Sequence, residues 1–145
     1  MSHTSHGFGT RCVHLGTHPD PVTGALSTPI YQTSTFAFKD ADQGARRFAG
    51  EEEGYIYTRL GNPNHTAVER KLAALEGGEA AAVAASGMGA ISSVLWTALS
   101  GGDHVIAANS IYGCTHSLMN HHFPRYGIEA TFMNLTDLAE VKAAV

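Results

Sequence analysis

Three short stretches carry the groups best suited to chemistry. In Tyr55-Ile56-Tyr57-Thr58-Arg59-Leu60-Gly61-Asn62-Pro63, an arginine stands two residues from a tyrosine. A guanidinium is a permanent cation with a fork of N–H donors, and a phenol adds another donor, so Tyr57 and Arg59 can grip a phosphate. The plainer alternative is a surface arginine paired with Glu51, Glu52 or Glu53. In Ser86-Gly87-Met88-Gly89, glycine lets backbone approach a ligand, and a following helix would present unpaired N–H groups with partial positive charge. Gly87 and Gly89 could equally serve tight strand–helix packing, and the pattern is neither Walker A nor GxGxxG. In Ile111-Tyr112-Gly113-Cys114-Thr115, Tyr112 could stack on an aromatic ring and its hydroxyl could move a proton. It could also be a half-buried loop residue, and Cys114 either a poised thiol near substrate or a small packing residue. Taken together, these groups suit a phosphorylated aromatic cofactor.

The elements around them can be read from pattern. The first sixty or so residues lack sustained periodicity and are rich in turn formers, including Pro19, Asp20, Pro21 and Gly24. Gln32 to Phe38 could be extended, and Ala41 to Ala49 a short helix capped by Asp40. A long stretch without its own core reads as an arm reaching a neighbouring subunit, or as a loose terminus. From Asn62 the pattern changes. Asn62 can cap a helix, Pro63 fits its first turn, Val68, Leu72 and Leu75 form one apolar face, and Gly77-Gly78 stops it.

Ala80 to Ala85 reads as a buried strand that turns at Ser86-Gly87-Met88-Gly89 into a helix from about Ala90 to Leu99. His104 to Ala108 and Ile128 to Met133 read as further strands. Between them a helix is expected from about Thr115 to His122, interrupted near Pro124, and Thr136 is expected to cap a last helix. Strands alternating with helices imply parallel crossovers and an α/β sheet. Tyr112 then follows a strand end, the usual place for ligand residues in such a sheet.

Composition narrows the classes. A chain of 145 residues with 43% hydrophobic and 15% charged residues is globular. A net charge of -4 without a basic run makes nucleic acid and anionic membrane poor partners. The apolar runs are broken by glycine and serine and fall short of the roughly 20 residues a membrane span needs. Met1-Ser2-His3-Thr4-Ser5-His6 has no leader pattern, and Cys12 and Cys114 form no CxxC pair, which reads as a cytoplasmic protein with free thiols. His116, His121 and His122 miss the i, i+4 register of a helical metal site, so no metal is expected.

The three segments resemble the γ-family of pyridoxal-phosphate enzymes of cysteine and methionine metabolism. The likeness runs from about Gly7, through Gly24-Ala25-Leu26-Ser27-Thr28-Pro29-Ile30-Tyr31-Gln32-Thr33-Ser34-Thr35-Phe36, to the C-terminus. Tyr-Thr-Arg-Leu-Gly-Asn-Pro is its most distinctive block. The resemblance implies a fold type I, aspartate aminotransferase-like α/β domain. Residues 1–61 would be the arm, and residues 62–145 the first part of the cofactor-binding domain. It implies pyridoxal 5'-phosphate as cofactor and a homotetramer built as a dimer of active dimers. Tyr57 and Arg59 would hold the cofactor phosphate of the adjacent subunit. Ser86, Gly87 and Met88 would hold that of their own, the last two through backbone N–H groups. Tyr112 would stack on the pyridine ring and protonate the leaving group.

Tyr-Gly-Cys-Thr at 112–115 is similar to the methionine γ-lyases of the family, where many cystathionine γ-lyases, γ-synthases and O-acetylhomoserine sulfhydrylases have glycine for Cys114. This implies a sulfur amino acid as substrate, L-methionine first, with Cys114 tuning recognition near the sulfur. The lysines are Lys39, Lys71 and Lys142, and none stands in the family's Ser-x-Thr-Lys setting. The resemblance therefore implies the front portion of an enzyme, with the cofactor lysine, the pyridine-nitrogen acid and the carboxylate-binding arginine beyond Val145. A short non-catalytic paralogue that binds the complete enzyme is the competing expectation.

Overall fold

A computed structural model describes residues 7–145. Met1–His6, where the sequence shows no leader pattern, lie outside the described residues. Two compact units divide the chain between Val83 and Ala84.

Among the described residues, the first unit contains three helices. Helix α1 spans Phe8–His14, a short helix that the aperiodic sequence does not announce. It lies along α3, Pro63–Glu76. The Arg11 guanidinium donates to the Ala74 carbonyl at 2.6 Å, and Lys71 Nζ donates to the Val13 carbonyl at 3.2 Å. Gly16, at φ 70°, lets the chain pass so close to α3 that a Cβ would sit 2.6 Å from the Lys71 nitrogen. Leu15 is buried there.

Helix α2, Ala41–Phe48, starts where the Asp40 carboxylate accepts from the Gln43 N–H at 2.7 Å, while Gln43 Oε1 accepts from the Lys39 N–H. These contacts satisfy donors that a helix start leaves unpaired. In α3 the Asn62 side chain accepts from the Asn64 N–H, Pro63 occupies the first turn, and Gly77 at φ 70° ends the helix left-handed. Val68 and Leu72, on its expected apolar face, remain largely exposed. Between residues 32 and 38, pairing is limited to an antiparallel bridge of Thr35 with Tyr57, flanked by Phe36 N–H to Ile56 carbonyl and Thr58 N–H to Ser34 carbonyl bonds.

Residues 80–85 correct the sequence reading, because they form no strand. A strand exists only through a neighbour's hydrogen-bond ladder. Among the described residues the only ladder joins β1 to β2, and the Val83 N–H is satisfied by Glu69 Oε1 instead.

In the second unit, α4 spans Gly87–Ala98, β1 spans His104–Ala108 and β2 spans Glu129–Met133. The strands are parallel, in register from His104 with Glu129 to Ala108 with Met133. Their connection changes pitch twice: α5 over Gly113–Ser117, a π-helical turn over Leu118–His122, then a 3-10 turn over Phe123–Tyr126. Pro124 has no N–H to give to the preceding turn, so regular α pairing cannot pass through it. Ala107, Met119, Phe123 and Ile128 form the buried core, with the Trp96 ring meeting Phe123 edge-on at 5.2 Å.

Helix α6, Leu138–Ala144, is capped by Asp137 and not by Thr136. The Asp137 carboxylate reaches two N–H groups, those of Ala139 and Glu140, while the Thr136 hydroxyl bonds Asn134 Oδ1. Among the described residues no helix is long and apolar enough to cross a membrane.

Candidate functional site

In the first unit, Tyr57 and Arg59 come together. The Arg59 guanidinium carbon lies 5.2 Å from the centroid of the Tyr57 ring. Arg59 does not pair with the nearby glutamates. Glu52 is held by Arg46 at 2.9 Å and Arg47 at 3.4 Å, and no other ion pair forms among the described residues. A hydrogen bond from Gln43, then those from Arg46, keep the Glu52 carboxyl below its ordinary range. Arg59 thus retains its donors for a ligand. It lines an open cleft of about 590 Å³ with Tyr31, Thr33, Ser34, Tyr57 and His65.

The loop that carries the pair is closed on itself. The Leu60 and Gly61 N–H groups both donate to the Tyr57 carbonyl, at 2.8 and 3.0 Å. The Thr58 N–H donates to the Ser34 carbonyl at 2.8 Å, and the Thr58 hydroxyl donates to the Thr33 carbonyl. Asn62 closes the arrangement from below, through contacts the sequence reading did not foresee. Its carbonyl oxygen serves the helix, and its amide reaches Tyr31 and Thr58.

In the second unit, the Ser86 hydroxyl accepts from the Gly89 N–H at 2.9 Å and so caps α4. This cap leaves the Gly87 and Met88 N–H groups at the helix mouth without a protein acceptor among the described residues. The two glycines behave differently. A Cβ on Gly89 would lie 3.1 Å from Ser86 Oγ, so Gly89 serves the cap. A Cβ on Gly87 would meet nothing within 4 Å, and its φ is not left-handed, so neither packing nor backbone conformation requires glycine there. The Met88 sulfur accepts from the hydroxyl of the buried Thr115 at 3.5 Å, which ties this turn to α5.

Tyr112 precedes α5, and the residue is 64% exposed. The Cys114 thiol lies 3.4 Å from its hydroxyl. The hydrogen bond with Cys114, and then the electrostatic effect of that neighbour, push the Tyr112 phenol above its ordinary value of 10.0. Tyr112 therefore stays protonated further into the alkaline range.

These donors fit a phosphorylated aromatic ring. Each unit supplies a set of uncommitted N–H or guanidinium groups, and the second adds an exposed phenol.

Comparison with known proteins gives the family. Residues 9–145 match the family described as Cys/Met metabolism PLP-dependent enzyme. Over 139 residues, 96% of the chain, it is 58% identical to the L-methionine gamma-lyase of Porphyromonas gingivalis. It is 42% identical to an O-acetyl-L-homoserine sulfhydrylase of Leptospira meyeri over 88% of its length. The chain spans 35% of the first relative and 29% of the second. Among solved structures, a putative O-acetylhomoserine (thiol)-lyase from Campylobacter jejuni superposes with a TM-score of 0.87 at 36% identity. That match covers 97% of this chain and 34% of the other, which carries a pyridoxyl-lysine monophosphate. The fold is accordingly the N-terminal part of a fold type I, pyridoxal-phosphate-dependent α/β domain, and the chain belongs to the Cys/Met metabolism PLP-dependent enzyme family.

Proposed function

We propose that the complete protein catalyses the γ-elimination of L-methionine, taking up water and releasing methanethiol, 2-oxobutanoate and ammonia. The observation that carries this reading is the 58% identity to a relative named L-methionine gamma-lyase. The Tyr-Gly-Cys-Thr stretch at 112–115 supports it, as does the lower identity of 42% to the sulfhydrylase.

Pyridoxal phosphate, when bound, supplies the electron sink that acidifies the substrate Cα–H. In this reading Tyr57 and Arg59 bind its phosphate in the adjacent subunit, through a cation and a phenol. Gly87 and Met88 offer N–H groups to the phosphate in their own subunit, with Ser86 fixing the turn. Tyr112 stacks on the ring and donates its proton to the departing sulfur, a role that suits a phenol held protonated above its ordinary range. Cys114 would tune recognition near the substrate sulfur. Residues 1–61 form the arm toward a neighbouring subunit, and residues 62–145 the first part of the cofactor domain. The assembly is a homotetramer made of two active dimers, in the cytoplasm.

The test is turnover of the full-length polypeptide on methionine, cystathionine and O-acetylhomoserine. Methionine should give the highest kcat/KM, with methanethiol and 2-oxobutanoate in equal amounts. Dominant turnover of cystathionine would overturn the assignment.

A further inference from the structure

We propose that Asn62 is a positioning residue for the phosphate grip, acting through Thr58 on the Tyr57–Arg59 pair. The inference rests on the reading of Tyr57 and Arg59 as phosphate ligands. Asn62 is 3% exposed, a rare depth for an asparagine, and both of its side-chain polar atoms are engaged. Its Oδ1 accepts from the Asn64 N–H at 2.9 Å, which starts α3. Its Nδ2 donates to the Tyr31 carbonyl at 3.0 Å and to Thr58 Oγ1 at 3.1 Å. The Thr58 hydroxyl passes its own proton on to the Thr33 carbonyl. Tyr31 and Thr33 line one part of the cleft, and Thr58 stands between Tyr57 and Arg59 on another. One buried amide thereby joins the helix start, the extended segment and the loop that carries the cation.

A helix cap alone needs only the oxygen, because serine and aspartate cap as well as asparagine. The two Nδ2 bonds go beyond what capping requires, and they run to the cleft. Asn64 repeats the scheme one step further from the loop, donating to the Pro29 carbonyl at 2.7 Å and accepting from the Tyr31 N–H at 2.8 Å. The extended segment is thus fixed at Pro29, Tyr31 and Thr33.

Asn62→Ser in the full-length polypeptide keeps a cap acceptor and removes both amide donors without adding charge. Thr58→Val removes the intermediate hydroxyl and leaves the cap untouched. The apo form of each is titrated with pyridoxal phosphate and, separately, with unphosphorylated pyridoxal. Each variant is repeated in an Arg59→Ala background. Loss of one or two neutral hydrogen bonds should weaken pyridoxal phosphate binding roughly tenfold. Pyridoxal affinity should stay unchanged, and neither variant should add to the loss already caused by Arg59→Ala. A purely structural asparagine would weaken both ligands alike, or add its loss in the Arg59→Ala background, and either result overturns the proposal. Wild-type affinity in Asn62→Ser and Thr58→Val also overturns it. If Arg59→Ala alone binds pyridoxal phosphate normally, it is the phosphate-grip reading that fails.

Discussion

Replacing Arg59 with alanine separates stability from cofactor binding. Arg59 is exposed, and its one close partner is the Tyr57 ring, 5.2 Å from the guanidinium carbon. Such a contact at an exposed site contributes about 0.5–1 kcal/mol. No carboxylate would be left unpaired, because Glu52 keeps both Arg46 and Arg47. Folding stability should therefore fall by less than about 1 kcal/mol. A charge-assisted hydrogen bond to phosphate is worth roughly 1.5–3 kcal/mol, so pyridoxal phosphate affinity should drop about 10- to 150-fold. Arg59→Lys keeps the charge but loses the fork and the flat stacking face, and should fall between alanine and wild type. Calorimetric titration of the full-length apo protein, beside thermal unfolding of the same samples, reads both quantities. An affinity within twofold of wild type would refute the reasoning. So would an unfolding loss large enough to explain the binding loss.

Other changes probe the second unit. Gly87→Ala should leave stability unchanged or slightly raised, since a Cβ there meets nothing within 4 Å and alanine favours helix by about 1 kcal/mol over glycine. The same variant should bind pyridoxal phosphate more weakly, as calorimetry would show; unchanged binding would remove Gly87 from the cradle. Cys114→Ala removes the neighbour that raises the Tyr112 pKa. The phenol should then ionise at lower pH, toward 10.0, and the alkaline limb of kcat/KM should move the same way, followed by ultraviolet titration of tyrosinate and by initial rates. Phe123→Ala, at a fully buried position against Trp96, should cost about 3–5 kcal/mol in denaturant unfolding.

Much of this architecture is legible in the sequence where a local rule decides it. Asp40 and Asn62 cap the helices they precede, and Gly77 ends α3 with a positive φ. Strand β1 occupies His104–Ala108 as its apolar run suggests. What the sequence conceals depends on distant partners. Residues 80–85 have the composition of a buried strand but no ladder to join. Helix α1 owes its place to Arg11 and Lys71 reaching across to carbonyls some sixty residues away in the chain, which no periodicity reveals. The Asn62 amide meets Tyr31 in the same way, across a separation of 31 residues. For the site, the residue types at 57, 59, 87 and 112 were visible. That Glu52 is already occupied, and that Gly87 and Gly89 have different duties, needed three dimensions.

The parallel pair has a consequence for how this polypeptide is made. His104 faces Glu129 and Ala108 faces Met133, so the two strands meet across only 25 residues (129 − 104) of chain. Every residue of the buried core, from Ala107 to Ile128, lies within that span or at its edge. Closing so short a loop carries little entropic penalty, and contacts this local form early. During synthesis, then, the second unit can begin to fold soon after Met133 leaves the ribosome. It would do so with Val94 of α4 still 67% exposed and the outer strand edges unpaired among the described residues. Those surfaces would be the ones that a nascent-chain chaperone must shield.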